Sequence, residues 1–263
     1  MANQVSSRSA SEVAAVLGSA ALEELPALIE RYRDDPRKQV QSALARAERR
    51  LDRERAERER VDAMYAEMAE LGDPGVVVGV DEVGRGSVAG PLTVCAVCLA
   101  GAPRASGGLN DSKKLTPARR ERLAEEIAQV AVAIGFCHIP AAEIDRIGMA
   151  SALRRAVAGA VADTGLTPDC VLMDGNPLGA VDHERDVVHG DARIACIAAA
   201  SIVAKVTRDA HMVELDALYP DYHLAESKGY ASPEHIAAIK AHGLTEEHRV
   251  SFCGNFLETE SLF

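Results

Sequence analysis

The sequence predicts an α/β domain preceded by a helical extension, and three observations carry that expectation. From Arg37 to Leu71 the chain contains no glycine or proline. Beyond Gly75, short β-branched and apolar runs alternate with segments of helical character, the order expected of strands covered by helices. The 48% hydrophobic content of the 263 residues is enough to fill an ordinary core.

Taken in order, Ser9-Ala-Ser-Glu12 has the spacing of a capping box. The row Val13, Leu17, Ala21, Leu25 and Leu28 follows at helical intervals and predicts a first short helix. Asp35-Pro36 reads as an N-cap with proline at the first helical position, opening a helix that reaches Leu71. The middle of that helix, residues 52–60, is almost wholly charged. Such a run usually marks a solvated face, and contact with nucleic acid is the alternative. Gly72 to Gly75 then sets a boundary between a helical extension, residues 1–72, and a main domain, residues 73–263. Residues 76–80, 92–100 and 130–139 read as strands, with a helix capped by Thr116-Pro117 between the last two. A helix is expected over 150–162, and 169–174 is a further apolar run ending in an acid. Residues 194–206 are apolar on nearly every side, the mark of a buried helix.

Composition excludes several classes. No stretch approaches the roughly 18 apolar residues that would span a bilayer. The N-terminus has no basic region followed by an apolar one, so a cytoplasmic location without a membrane partner is expected. The six cysteines lie in apolar surroundings that suit reduced thiols. Cys95 and Cys98 have zinc-pair spacing, yet residues three apart in a strand face opposite sides and cannot share an ion. A net charge of −11 argues against a general polyanion coat. Basic residues concentrate instead between Arg31 and Arg60, with eleven Lys and Arg against seven Asp and Glu.

The acids carry the chemistry. Asp81 and Glu82 follow the 76–80 run, and Asp174 closes the 169–174 run. Ligand sites of open α/β sheets gather at the carboxyl ends of strands, so these clusters are expected to be neighbours. Crowded carboxylates repel unless a cation or proton neutralises them. In the buried helix, Ser201, Lys205 and Asp209 recur at intervals of four, with Arg208 beside them. That polar stripe must face polar partners. Asp209 is thereby a candidate fourth acid, although a simple Lys205–Asp209 pair also satisfies the spacing. An all-carboxylate site suits Mg²⁺ or Mn²⁺, and such sites commonly hold two ions that act on a phosphodiester.

Gly84-Arg-Gly-Ser-Val-Ala89 also fits the dinucleotide-binding pattern. That fingerprint must open a helix, whereas Gly90-Pro91 and the β-rich run after it imply a strand, and Asp81 and Glu82 would oppose a phosphate. A module that binds nucleic acid without cutting it would be expected to lack one of the acids, and all four are present.

Five segments in order, Asp81-Glu-Val-Gly-Arg-Gly86, Asn110-Asp-Ser-Lys-Lys114, Met173-Asp-Gly175, Ala200-Ser-Ile-Val-Ala-Lys-Val-Thr-Arg-Asp209 and Lys228-Gly-Tyr230, closely resemble the bacterial ribonuclease HII family. The resemblance runs from about Gly75 to Phe256, and its Gly-Arg-Gly loop is more like type HII than type HIII. It implies a ribonuclease H-like mixed five-stranded sheet flanked by helices. It also implies cleavage of RNA in RNA–DNA hybrids and 5′ to single ribonucleotides in duplex DNA, leaving 3′-hydroxyl and 5′-phosphate ends. By the same resemblance Asp81, Glu82, Asp174 and Asp209 bind Mn²⁺ or Mg²⁺ and form the catalytic set. Gly84, Arg85 and Gly86 read the ribose 2′-hydroxyl in the minor groove. Tyr230 stacks on the next sugar, with a core tyrosine as the bland alternative, and Asn110, Ser112 and Lys113 hold backbone phosphate. Residues 1–72 resemble the extension of some bacterial members, and the local basic excess from Arg31 to Arg60 suggests a grip on substrate. The terminal Ser261-Leu-Phe263 faintly resembles the end of a sliding-clamp motif, with a frayed tail as the alternative. A monomer is expected.

Overall fold

The computed structural model describes residues 8–72, 75–99 and 108–257. The chain forms two compact units, Met1–Asp62 and Ala63–Phe263, and the division falls inside one long helix.

The first unit is helical. Helix α1, Ala10–Ser19, opens with the expected reciprocal cap: Ser9 Oγ accepts the Glu12 N–H at 3.2 Å, and the Glu12 carboxylate accepts the Ser9 N–H at 2.6 Å. The single helix expected through Leu28 is two helices, because α2 is a separate element, Leu25–Tyr32. Pro26 gives the reason. It has no N–H to donate back along a continuing helix, so the row breaks and restarts with proline in its first turn. Helix α3, Lys38–Gly72, begins two residues beyond Pro36. Asp35 is nevertheless engaged there, accepting the Arg37 N–H at 3.1 Å and its guanidinium at 2.6 Å. Val13, Leu17, Leu25, Ile29, Tyr32 and Leu44 form the core of this unit.

The second unit is built on a mixed sheet of strand order β3-β2-β1-β4-β5. Its strands are β1 Val77–Val83, β2 Leu92–Leu99, β3 Ala131–Ile139, β4 Cys170–Asp174 and β5 Glu184–Val187. β2 runs antiparallel to both β1 and β3, whereas β4 is parallel to β1 and β5. The chain thus turns straight from β1 into an antiparallel strand after the glycine loop, which removes the dinucleotide reading. Thr116 caps α4, Pro117–Val130, as expected. Helices α5, Ala141–Ile147, and α6, Met149–Asp163, follow β3, and α7, Gly190–Arg193, leads into α8, Ala195–Leu218. Short α9, Leu224–Ser227, then α10, Pro233–His242, and α11, Val250–Leu257, complete the unit.

Strand alternation decides which helix covers which face. Val78 and Val80 pack into a cluster with Leu153, Ala156 and Val157 of α6. Gly79, between them, lies against the Cys196–Ile197 backbone of α8. Asp81 therefore points to the α8 face. The cysteines are free thiols, with Cys98 in the α6 cluster and Cys95 on the Asp81 side. Among the described residues no helix is long and apolar enough to cross a membrane.

Candidate active site

β1 does not end before its acids, as the sequence suggests, but runs through them to Val83. Only the parallel ladder stops there: its last pair is Val80 with Met173. One residue further in the same register sets Asp81 beside Asp174. Parallel pairing thus does what strand ends were expected to do.

The Asp81 carboxylate accepts the Glu82 N–H at 2.8 Å, and the nearby Ser201 hydroxyl favours its charged form. Burial, then the charges of Glu82 and Asp174, push its pKa up to about 7. Ser201 Oγ lies 3.0 Å from Ser112 Oγ in a buried contact. The stripe on α8 therefore meets polar partners at its first member. Glu82 is raised by burial, with Asp174 adding to the effect. Arg85, 3.5 Å away, and Lys113 oppose it. Asp174 accepts the Gly190 N–H at 2.7 Å. The next residue, Asp191, is buried, and its pKa is raised first by burial and then by Asp111 and Asp174, against Lys113 and Lys114.

Asp209 has a different setting. It lies eight residues after Ser201 on α8, about 12 Å along the axis, and its carboxylate takes Lys205 Nζ at 2.7 Å. Asp174 is felt electrostatically by Asp81, Glu82 and Asp191 alike, whereas Asp209 lies in the Lys205 pair that the spacing also allowed.

The candidate substrate residues flank these acids. Gly84 is buried, whereas Arg85 and Gly86 are exposed at the loop tip. Asn110 is half-buried, its side-chain oxygen accepting the Asp111 N–H at 2.9 Å. Lys113 is exposed, while Ser112 is buried and turned inward onto Ser201. Tyr230 is no core residue: it is 39% exposed, its ring 5.8 Å from the Arg208 guanidinium carbon. Its turn is joined to the glycine loop, since Gly229 O accepts the N–H groups of Val88 and Ala89 at 2.8 and 3.1 Å.

Residues 78–255 match the family model for ribonuclease HII, and residues 9–67 match the model for the ribonuclease HII N-terminal domain. The chain belongs to the ribonuclease HII family. A ribonuclease HII of Geobacillus thermodenitrificans is 45% identical over 227 residues, 85% of this chain and 86% of the relative. One from a Shewanella species is 46% identical over 184 residues, 68% of this chain and 88% of the relative. Among solved structures, the ribonuclease H2 of Pyrococcus horikoshii superposes with a TM-score of 0.59 at 24% identity, covering 70% of this chain and 99% of that one. The ribonuclease HII of Archaeoglobus fulgidus, solved in a complex with PCNA, gives 0.58 at 25% identity, covering 66% and 94%. The expected ribonuclease H-like mixed five-stranded sheet is thus the observed one. Membership makes the chain a type 2 ribonuclease H, a divalent-metal-dependent hydrolase acting on RNA–DNA hybrids.

The donor chemistry of this ribonuclease HII fits that dependence. Its clustered side chains are hard carboxylates, and burial raises Asp81, Glu82 and Asp191 together even against the nearby Arg85, Lys113 and Lys114. As placed, no three acids among the described residues converge as a ready ligating group. A cation would have to draw them in. Asp191 was missed in the sequence. Its one sequence signal is an acid close before the apolar run that opens α8, and the polar His189-Gly-Asp-Ala-Arg193 around it reads as a solvated turn.

Proposed function

We propose that this ribonuclease HII cuts 5′ to single ribonucleotides embedded in duplex DNA, as well as within RNA–DNA hybrids, and so removes ribonucleotides from DNA. The juxtaposition of Asp81 and Asp174 at the end of the parallel ladder is the observation that carries the reading. In this reading Asp81, Glu82 and Asp174 hold Mg²⁺ or Mn²⁺, and the burial of Asp191 beside Asp174 supports it as the fourth acid ahead of Asp209. Two bound ions would activate water and stabilise the leaving oxygen, giving 3′-hydroxyl and 5′-phosphate ends. The chain's own residues orient the strand. Gly84-Arg85-Gly86 approaches the 2′-hydroxyl, Tyr230 stacks on the following sugar, and Asn110 and Lys113 hold phosphate. Ser112, turned inward, supports Asp81 through Ser201.

The helical extension is read as a grip on duplex. Arg46, Arg49, Arg50 and Arg53 fall on one face of α3 and line a groove with Ala14 and Leu17. The protein is read as a cytoplasmic monomer. The PCNA complex of the Archaeoglobus relative favours a clamp contact, for which Ser261-Leu-Phe263 is the candidate; those residues lie outside the described ones.

The test is a DNA duplex with one internal ribonucleotide, incubated with Mg²⁺ or Mn²⁺, with EDTA, and with Asp174→Asn protein. Cleavage 5′ to the ribonucleotide that needs both metal and Asp174 is expected. Cutting of long hybrids alone would restrict the function to hybrid hydrolysis.

A further inference from the structure

Behind Tyr230 lies a pair of buried histidines outside the acid cluster. His235, on α10, is fully buried and His248 nearly so, and their Nε2 atoms are 3.1 Å apart. The ends of the pair fix its protons. The Thr245 N–H points at His248 Nδ1 from 3.0 Å, and an amide can only donate, so that nitrogen carries a lone pair. At the other end His235 Nδ1 lies 2.9 Å from the Tyr230 carbonyl, which can only accept, so that nitrogen carries a proton. Both requirements are met by two neutral rings with a single proton between them, donated by His248 Nε2 to His235 Nε2. The chain runs in one direction, from the Thr245 amide to the Tyr230 carbonyl.

Each end of that chain touches a candidate substrate element. His248 forms a bridge with Ala89, and the adjacent Arg249 donates to Gly90 O at 2.9 Å and Arg85 O at 3.2 Å, so His248 is seated on the glycine loop. At the far end the Lys228–Tyr230 turn is one that the backbone disfavours. Lys228 and Gly229 are both left-handed, at φ of 51° and 76°, and a β-carbon on Gly229 would stand 2.3 Å from Ala89 O. Its three successive carbonyls are tied down. Lys228 O takes Arg208, Gly229 O takes the glycine loop, and Tyr230 O takes His235.

We infer that His235 and His248 are positioning residues for Tyr230, a relay that fixes where its ring stands relative to the Gly84–Gly86 loop. This rests on the reading of Tyr230 as the ring that stacks on substrate. The relay acts through the Tyr230 carbonyl and touches no reacting atom.

Two measurements test it. In the wild-type protein, two-bond ¹⁵N–¹H correlation spectra should show His248 protonated on Nε2 and His235 on Nδ1; the opposite tautomer at His235 overturns the relay. Cleavage of a duplex with one ribonucleotide is then measured for His235→Leu, His235→Asn, Tyr230→Ala and His235→Leu with Tyr230→Ala. His235→Leu should lose on the order of tenfold in kcat/KM. His235→Asn, whose amide can donate from near the Nδ1 position, should recover most of that loss. In the Tyr230→Ala background His235→Leu should change little further. An equal loss in both backgrounds shows a structural effect that bypasses Tyr230 and sinks the proposal. Wild-type cleavage by Tyr230→Ala alone refutes the stacking role itself, and the positioning role falls with it while the tautomer result stands apart.

Discussion

Arg208 Nη1 donates to the Lys228 carbonyl at 2.8 Å while Nη2 of the same guanidinium reaches Ser87 Oγ at 2.8 Å and Ala89 O at 3.1 Å. With Nε on Pro91 O at 2.9 Å, one fully buried cation joins the glycine loop, the start of β2 and the Tyr230 turn. It is held by carbonyl and hydroxyl dipoles. Replacing it by methionine leaves those acceptors buried without donors. Arg208→Met should lower stability by about 3–5 kcal/mol, read as a shifted urea midpoint, whereas Arg208→Lys should recover only part because an ammonium cannot span the same fork.

The two glycines of the loop should separate folding from function. Gly84 has φ +85°, and a β-carbon there would meet Arg208 Nε at 2.3 Å and Pro91 O at 2.8 Å, whereas Gly86 has open space around it. Gly84→Ala should therefore destabilise the fold by about 1–3 kcal/mol. Gly86→Ala should melt like the parent yet cut more slowly if the tip approaches the minor groove. Equal melting temperatures for the two variants would contradict the geometry.

Acid should weaken the fold through the histidine pair. Burial lowers both rings, most for His248, which burial and then His235 bring down to about 4 from an ordinary 6.5; His223 adds to the effect on His235. A histidine depressed in the folded state binds more protons when unfolded. Its contribution is intact above pH 6.5 and is lost as pH falls toward 4. Urea unfolding across that window should show falling stability, with a shallower slope in His248→Gln.

The fourth acid can be identified by paired substitutions. Asp191→Asn should cost on the order of a hundredfold in activity or metal affinity, as a member of the cluster beside Asp174. Asp209→Asn, which frees Lys205, should cost clearly less. The reverse order of kcat/KM values would restore Asp209 to the set.

Deleting residues 1–62, the whole first unit, should weaken binding of a catalytically silenced protein to duplex and flatten its dependence on salt, since the slope falls by about one unit for every phosphate that the protein no longer neutralises. Unchanged affinity and slope, measured by fluorescence anisotropy from 50 to 200 mM salt, would retire the arginine face of α3 as a grip.

What was legible in the sequence was local. Ser9 with Glu12 and Thr116 with Pro117 fix helix starts within a few residues, and the β-branched runs mark β1 to β4, because these preferences depend on near neighbours. β5, Glu-Arg-Asp-Val, was not legible: it is mostly polar and is a strand only because β4 offers it an edge. The same limit applies to the acids. The sequence by itself pointed to Asp81, Glu82 and Asp174 as neighbours, since each follows or closes an apolar strand run. Only the tertiary structure decided which acid lies beside Asp174. The seating of α8 puts Ser201 near Asp81 and Asp209 two turns further along the helix, while short α7 sets Asp191 beside Asp174. A helix presents residues four apart as one stripe, but how much of that stripe reaches a site depends on where the helix crosses the sheet, and that is set by packing far away in sequence.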